Sequence, residues 1–132
     1  TDEIRSTVSQ FLEVTDIVLP SFDDEQSIWG DTTPAMTVKR LQTAGVPEII
    51  VKNGAAETVG QGFWVPTPTV SGVCDTSGAG DAFNAGYLAG RLQGLPPPDA
   101  VVWGQSLSGE VIRHFGARIP KPRVPTLLQD DF

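Results

Sequence analysis

The chain of 132 residues carries 16 acidic against 9 basic residues, a formal net charge of -7, and 39% of its residues are hydrophobic. This composition is typical of one soluble domain with a modest core, and the acidic balance argues against a nucleic-acid or anionic-membrane surface, which would need a basic patch. A single cysteine excludes an internal disulfide, and there is neither a long apolar span nor a signal-like N-terminus. We therefore expect a cytoplasmic protein with a small-molecule ligand.

The hydrophobic pattern predicts alternating helices and strands along the chain. In order, it predicts a helix around 4–12, a strand over 16–20, a helix over 34–44, a strand over 48–52, one or two extended pieces over 57–66, and helices over 80–93 and 98–114. The tail after Gly116 is broken by prolines and is predicted to be irregular. This order is typical of an α/β fold with a layered sheet and flanking helices, and we expect a largely parallel sheet with ligands at the carboxyl ends of its strands.

The most informative segment is Asp75-Thr76-Ser77-Gly78-Ala79-Gly80-Asp81. Gly78 and Gly80 can take backbone angles closed to other residues, so the N–H groups around them can point toward one anion. The helix predicted to begin near Gly80 adds unpaired N–H groups and the positive end of its dipole. Asp81 lies beside this cradle, where a carboxylate can accept the proton of a hydroxyl that attacks a phosphoryl group. The segment therefore predicts a phosphoryl-transfer site.

Two other glycine motifs are excluded, and one alternative remains open. A dinucleotide fingerprint would need glycine at the position of Phe83, and the Walker P-loop would need Gly-Lys-Ser or Gly-Lys-Thr, which does not occur. The remaining alternative is a helix N-terminus capped by the side chain of Asp75 or Ser77, with glycines for close packing.

Segment 75–81 closely resembles the D-T-x-G-A-G-D signature of the ribokinase-like sugar kinases, also called the PfkB family. The resemblance implies a ribokinase-like fold, ATP and Mg²⁺ as cofactors, and transfer of the γ-phosphoryl group to a sugar hydroxyl. Asp81 matches the catalytic base, and Gly78, Ala79 and Gly80 match the anion hole. It also implies that residues 1–132 are the C-terminal, nucleotide-binding part of such a kinase, without the N-terminal substrate and lid part. Catalysis by the chain alone is therefore not expected.

Other segments resemble the nucleotide side of the same family. Lys52 and Gly54 match a strand and turn that line the nucleotide, although a strand-end turn with exposed polar residues explains them equally well. Gln105 falls on the late helix that closes over the adenine and ends in a Gly-Ala pair, here Gly116-Ala117, although ordinary placement on a helix surface remains an alternative. The resemblance thus implies nucleotide-binding roles for Lys52, Gly54 and Gln105.

A candidate metal ligand follows the first predicted strand. Ser21 and Asp24 occupy the positions of the family's Asn-x-x-Glu motif, which is associated with magnesium and phosphate. Asp24 is a shorter carboxylate than Glu, so a metal contact could pass through water, and Glu25 could take its place. The alternative is an acidic helix N-terminus, in which residues 23–25 favour the helix dipole.

The substrate prediction depends on finer resemblance. Within the family, residues 19–25 and the Gly116-Ala117 segment look most like kinases of 2-keto-3-deoxygluconate. The partner implied is a small-molecule sugar or sugar acid, and the complete protein is expected to form a homo-oligomer. Two alternatives stay open, namely another ribokinase-like sugar or nucleoside kinase, and a non-catalytic fragment that binds nucleotide.

Overall fold

The computed structural model describes residues 1–129, and the chain divides into two compact units, Thr1–Pro66 and Thr67–Phe132. The first unit contains α1 (Asp2–Leu12), β1 (Ile17–Val18), α2 (Phe22–Trp29), α3 (Pro34–Thr43), β2 (Glu48–Val51), β3 (Glu57–Gly60) and β4 (Phe63–Pro66). The second contains α4 (Ala79–Leu92), α5 (Pro97–Val111), a 3-10 turn (Lys121–Arg123) and α6 (Thr126–Gln129). No helix within residues 1–129 is both long enough and apolar enough to cross a membrane.

The sheet of the first unit is mixed, in the order β1-β2-β3-β4. β1 runs parallel to β2, but β2 pairs antiparallel with β3, and β3 with β4. The predicted α/β class with flanking helices is confirmed, whereas the expectation of a largely parallel sheet is wrong. The reason is connection length, because a parallel pair needs a crossover of a dozen or more residues and the links at 52–56 and 61–62 are too short. Only the β1-to-β2 link, which contains α2 and α3, is long enough.

The core of the first unit lies between α1, α3 and one face of the sheet. α3 begins with Pro34 in its first turn, and the hydroxyl of Thr33 accepts a hydrogen bond from the backbone N–H of Met36 at 3.2 Å. The helix then places its apolar side chains at a spacing of three residues, facing the alternate residues of β2. The buried cluster comprises Leu12, Val38, Leu41, Val46, Ile49 and Val51. Full burial of each large aliphatic side chain stabilises the fold by about 1.5–3 kcal/mol.

The second unit is built on the close crossing of α4 and α5. A Cβ added at Gly86 would lie 2.6 Å from the carbonyl oxygen of Trp103, and one added at Gly104 would lie 2.8 Å from the carbonyl oxygen of Phe83. Glycine at these positions therefore lets the two backbones touch. This crossing positions the start of α4.

Two details of the second unit differ from the sequence prediction. α5 ends at Val111 and not at His114, because the N–H groups of Arg113 and His114 form tighter i-to-i+3 bonds with Glu110 and Val111, each at 3.1 Å. The tail is also not wholly irregular, since the 3-10 turn and α6 follow and the side chain of Leu128 is buried. Burial of that leucine gives the tail a packing anchor that its prolines did not reveal.

Candidate active site

The turn before α4 leaves backbone donors free at the start of the helix. Gly78 is the N-cap residue in the left-handed conformation, with φ 74° and ψ 7°, and no side chain caps the helix. Of the three residues predicted to form the anion hole, Ala79 donates its N–H to the carbonyl oxygen of Thr76 at 3.2 Å, so this donor is already engaged. The N–H groups of Gly78 and Gly80, and that of Asp81, bond to no acceptor within residues 1–129. Three N–H groups and the positive helix end are therefore available to an anion.

Asp75 braces this turn but does not cap the helix, so the alternative of a side-chain cap is wrong. Its carboxylate accepts hydrogen bonds from the N–H of Ser77 and the N–H of Gly116, both at 2.9 Å. Hydrogen bonds from the Ser77 hydroxyl, the Ser77 N–H and the Gly116 N–H hold the pKa of Asp75 below its usual value. The sequence did not reveal this brace, because Gly116 lies 41 residues further along the chain.

A close contact locks the turn against the segment after α5. A Cβ added at Gly78 would lie 2.5 Å from Cβ and 2.9 Å from Cα of Ala117, so the contact leaves no room for a side chain. The positive φ at Gly78 also favours glycine. The Gly116-Ala117 pair therefore contacts the turn at two points, through the Asp75 hydrogen bond and through Gly78.

The remaining candidates of the second unit lie on the two long helices. Asp81 is exposed in the first turn of α4 and makes no hydrogen bond or ion pair with any other described residue. Its carboxylate is therefore accessible for proton transfer. Gln105 is only 7% exposed, so the alternative of helix-surface placement is wrong, and its Nε2 lies 3.5 Å from Oγ1 of Thr67. A nucleotide contact by Gln105 stays a prediction.

The first unit brings Lys52 next to the start of α2, the helix that carries Asp24. Two backbone hydrogen bonds join the end of β2 to the start of α2. The N–H of Phe22 donates to the carbonyl oxygen of Lys52 at 2.8 Å, and the N–H of Lys52 donates to the carbonyl oxygen of Pro20 at 2.9 Å. Gly54 follows in the turn with φ 56°. Asp24 lies in the first turn of α2 and is exposed. The parallel pairing of β1 and β2 thus places both strand ends, and the candidates after them, at one edge of this unit.

Comparison with known proteins adds independent observations. The family model described as "pfkB family carbohydrate kinase" matches residues 1–124. The chain belongs to this family.

Curated relatives of this pfkB family chain include the 2-dehydro-3-deoxygluconokinase of Escherichia coli (strain K12), which is 39% identical over 132 residues, covering 94% of the chain and 42% of the relative. The 2-dehydro-3-deoxygluconokinase of Haemophilus influenzae is 36% identical, covering 99% of the chain and 43% of the relative. The chain therefore spans less than half the length of these relatives.

A solved structure gives the same fold. A putative ribokinase II from E. coli in complex with ATP and Mg²⁺ is 27% identical, with a TM-score of 0.75, covering 88% of the chain and 39% of the other protein. The predicted ribokinase-like architecture is confirmed at the level of the fold.

An ion-pair cluster beside Asp24 was not predicted from the sequence of this pfkB family chain. Nη2 of Arg40 pairs with the carboxylates of both Glu25 and Asp31, the latter at 2.8 Å, and the guanidinium carbon lies 4.6 Å from the centre of the Trp29 ring. Burial alone would raise the pKa of Asp31, but hydrogen bonds from Arg40 and Thr37 and the charge of Arg40 lower it overall. Because Arg40 engages Glu25, the carboxylate of Asp24 is freer than that of Glu25, and Asp23 in the same turn is exposed as well.

The donor set for a metal ion is sparse. Within residues 1–129 no group of three or more His, Cys, Asp or Glu side chains could hold a metal ion. Mg²⁺ in phosphoryl-transfer sites is typically held by one or two carboxylates together with substrate phosphates and waters. A single exposed carboxylate at Asp24, acting through water, fits that mode of binding and does not fit an all-protein metal cage.

Proposed function

We propose that the protein containing this chain transfers the γ-phosphoryl group of ATP to a sugar hydroxyl, with 2-keto-3-deoxygluconate as the substrate. The observation that carries the proposal is the start of α4. There, the N–H groups of Gly78, Gly80 and Asp81 and the carboxylate of Asp81, none of which has a partner among residues 1–129, lie within one helical turn. This arrangement supplies an anion-binding site and a base for the same reaction.

In the proposed reaction, Asp81 accepts the proton of the attacking hydroxyl while the oxygen forms a bond to the γ-phosphorus. The bond between that phosphorus and the bridging oxygen of ADP breaks. Charge develops on the phosphoryl oxygens, and the N–H groups of Gly80 and Asp81 are preorganised to donate to them because Gly78 fixes the turn. A fixed donor in such a site contributes about 3–4 kcal/mol of transition-state stabilisation.

Asp24 would hold Mg²⁺ through water, and the ion when bound would neutralise phosphate charge. Glu25 is less suited to this role because its carboxylate pairs with Arg40. Lys52 and Gly54 would line the nucleotide at the end of β2, and Gln105 would contact it from α5. These four roles are part of the proposal.

The choice of substrate is supported by the relatives. Two proteins of 39% and 36% identity carry the name 2-dehydro-3-deoxygluconokinase, an alternative name for a kinase of 2-keto-3-deoxygluconate. A panel of the ketoacid, fructose and nucleosides distinguishes this proposal from other ribokinase-like activities. Faster release of ADP with fructose or a nucleoside would reject the substrate assignment while leaving the kinase chemistry in place.

The proposed chemistry is tested by introducing Asp81→Asn into the protein that contains this chain and measuring turnover in an assay that couples ADP release to NADH oxidation. We expect kcat to fall by about 100-fold or more, because a positioned general base contributes about 10²–10⁴-fold. The Kd for Mg-ATP, measured by calorimetry, should not rise, since the backbone donors remain and the variant removes one negative charge beside the phosphates. Glu110→Gln is the control: it removes a carboxylate of α5 that pairs with Arg113 and His114, just after the helix. Equal losses in both variants would contradict the assignment of Asp81 as the base.

A second candidate function is nucleotide binding without turnover by this chain. It is favoured by the chain's extent, since it spans 42% of the E. coli relative. It predicts saturable binding of Mg-ATP and no sugar-dependent release of ADP. Turnover by the chain that Asp81→Asn abolishes would reject this candidate.

A further inference from the structure

Positive charge is concentrated in one short segment of this acidic protein. The chain has nine basic residues and a net charge of -7, yet segment 113–123 has no acidic residue. Four of the nine basic residues lie there: Arg113, Arg118, Lys121 and Arg123. Such a concentration of one sign against the overall charge indicates a local preference for an anion.

The structure fastens this segment to the turn before α4. The N–H of Gly116 donates to the carboxylate of Asp75 at 2.9 Å. Ala117 packs so closely on Gly78 that a Cβ added at Gly78 would lie 2.5 Å from the Cβ of Ala117. Arg118 is the next residue, and consecutive Cα atoms are about 3.8 Å apart. Its side chain therefore originates within one residue of a contact with the N-cap of α4.

Arg118 also differs from its basic neighbours in what it contacts. Arg113 forms an ion pair with Glu110 at 3.5 Å, and His114 contacts the same carboxylate. Arg118 is exposed and forms no ion pair or hydrogen bond with any residue in 1–129. Lys121 and Arg123 are equally unpaired within that range but lie three and five residues further from the Ala117 contact. Among the cations without a partner in residues 1–129, Arg118 is thus the closest in sequence to the Ala117 contact.

The turn itself needs a positive charge when phosphate binds. It carries two carboxylates, Asp75 and Asp81, and both would repel the phosphates of a nucleotide held at the helix start. Like charges held close together at a protein surface repel one another. The N–H groups of Gly80 and Asp81 offer only partial charges against this repulsion. A guanidinium offers a full charge and a planar donor fork that matches phosphate oxygens.

We propose that Arg118 binds the terminal phosphates of the nucleotide and so raises the preference of this site for triphosphate over monophosphate. The inference deepens the proposed function and rests on it. Arg118 acts as a binding residue here, whereas proton transfer remains with Asp81. Within segment 113–123, Arg118 alone then presents its charge to the same anion as the N-terminus of α4.

The test is calorimetric titration of the chain with Mg-ATP and with AMP, using wild type, Arg118→Gln, Arg118→Lys and the control Lys121→Gln. Circular dichroism verifies that each sample is folded. We expect Arg118→Gln to weaken Mg-ATP binding by about tenfold or more while changing AMP binding less, since bonds to ionised groups are the strong ones. Arg118→Lys should recover part of the loss, because lysine keeps the charge without the fork. Lys121→Gln should retain most of the affinity.

The outcomes separate this inference from the proposed function. A folded wild-type chain that binds no Mg-ATP would reject nucleotide binding by the chain and the role of Arg118 with it. Normal binding by wild type and equal binding by Arg118→Gln would overturn only the inference. It would also be overturned if Lys121→Gln lost as much affinity, or if Arg118→Gln weakened AMP and Mg-ATP equally, because the effect would then not act through the terminal phosphates.

Discussion

Gly78→Ala should perturb both the packing of the turn before α4 and the backbone donors proposed to bind an anion there. The new Cβ would lie 2.5 Å from the Cβ of Ala117, and ordinary carbon contacts are about 3.5–4.0 Å, so the turn and the segment after α5 must separate by roughly 1 Å. Overpacking of this kind costs about 1–3 kcal/mol. The left-handed conformation at φ 74° costs a residue with a Cβ about 1–2 kcal/mol more. We therefore expect a loss of about 2–5 kcal/mol in the free energy of unfolding.

Two further variants separate the two contributions. Gly94→Ala introduces the same methyl group at φ 85° with nothing within 4 Å, so it reports the backbone strain alone, about 1–2 kcal/mol. The double variant Gly78→Ala with Ala117→Gly removes the closest contact but leaves Cα of residue 117 at 2.9 Å, so recovery should be partial. A double-mutant cycle then gives the coupling between residues 78 and 117, for which we expect about 1 kcal/mol or more.

The assays are urea unfolding followed by far-ultraviolet circular dichroism, hydrogen exchange of the α4 amides, and titration with Mg-ATP. The affinity for Mg-ATP should fall with Gly78→Ala and stay unchanged with Gly94→Ala, because only the first moves the donors at the start of α4. If Gly78→Ala costs no more stability than Gly94→Ala, the contact with Ala117 does not carry the energy assigned to it. Absence of coupling in the cycle would refute the same reasoning by an independent route.

Other positions give shorter tests. Gly86→Ala should destabilise by about 1–3 kcal/mol in urea unfolding, because its Cβ would lie 2.6 Å from a backbone oxygen of α5, whereas Gly109→Ala, whose nearest atom is a side-chain methyl at 3.3 Å, should cost less. Arg40→Gln should cost about 2–3 kcal/mol at pH 7 by leaving the buried Asp31 carboxylate without its cation. Because the folded-state pKa of Asp31 is lowered, its stabilisation is present above the unfolded value near 3.9 and is lost as the pH falls through the folded value. The difference between wild type and Arg40→Gln should therefore shrink below about pH 4, and a difference that stays constant down to pH 2 would contradict the role of Asp31.

Local patterns predicted the helices and strands better than the sheet. The periodic apolar residues of α1 and α3 and the short apolar run of β2 gave the correct element types, with boundaries within a few residues. Strand direction depends on the length and path of the connections, and the two-residue link Gln61-Gly62 is a hairpin signal that the expectation of parallel strands overrode. A prediction that weighed link length would have given the antiparallel pairs.

The site shows the same division between local and distant information. Gly78 indicated the turn before α4 because a left-handed N-cap is a local requirement that glycine satisfies, whereas Gly80 lies inside the helix and has no positive φ. The brace by Asp75 depends on a backbone donor 41 residues away. In the ion-pair cluster, Arg40 lies 15 residues after Glu25 and 9 residues after Asp31. Neither contact leaves a periodic signal in the sequence. Only the concentration of acidic residues at 23–25 was visible, and it favoured either a helix start or a metal ligand.

The contact between Gly78 and Ala117 links the stability of the second unit to the geometry of its proposed anion site. The α4 and α5 backbones touch at Gly86 and Gly104, which limits how far one helix can shift without the other. The segment that follows α5 then reaches the N-cap of α4 through Gly116 and Ala117. A substitution at the distant crossing should therefore alter the position of the free N–H groups as well as the packing. Hence Gly86→Ala should weaken Mg-ATP binding even though residue 86 lies more than one helical turn beyond Asp81, and unchanged affinity in a destabilised variant would show that the turn is held by its own contacts alone.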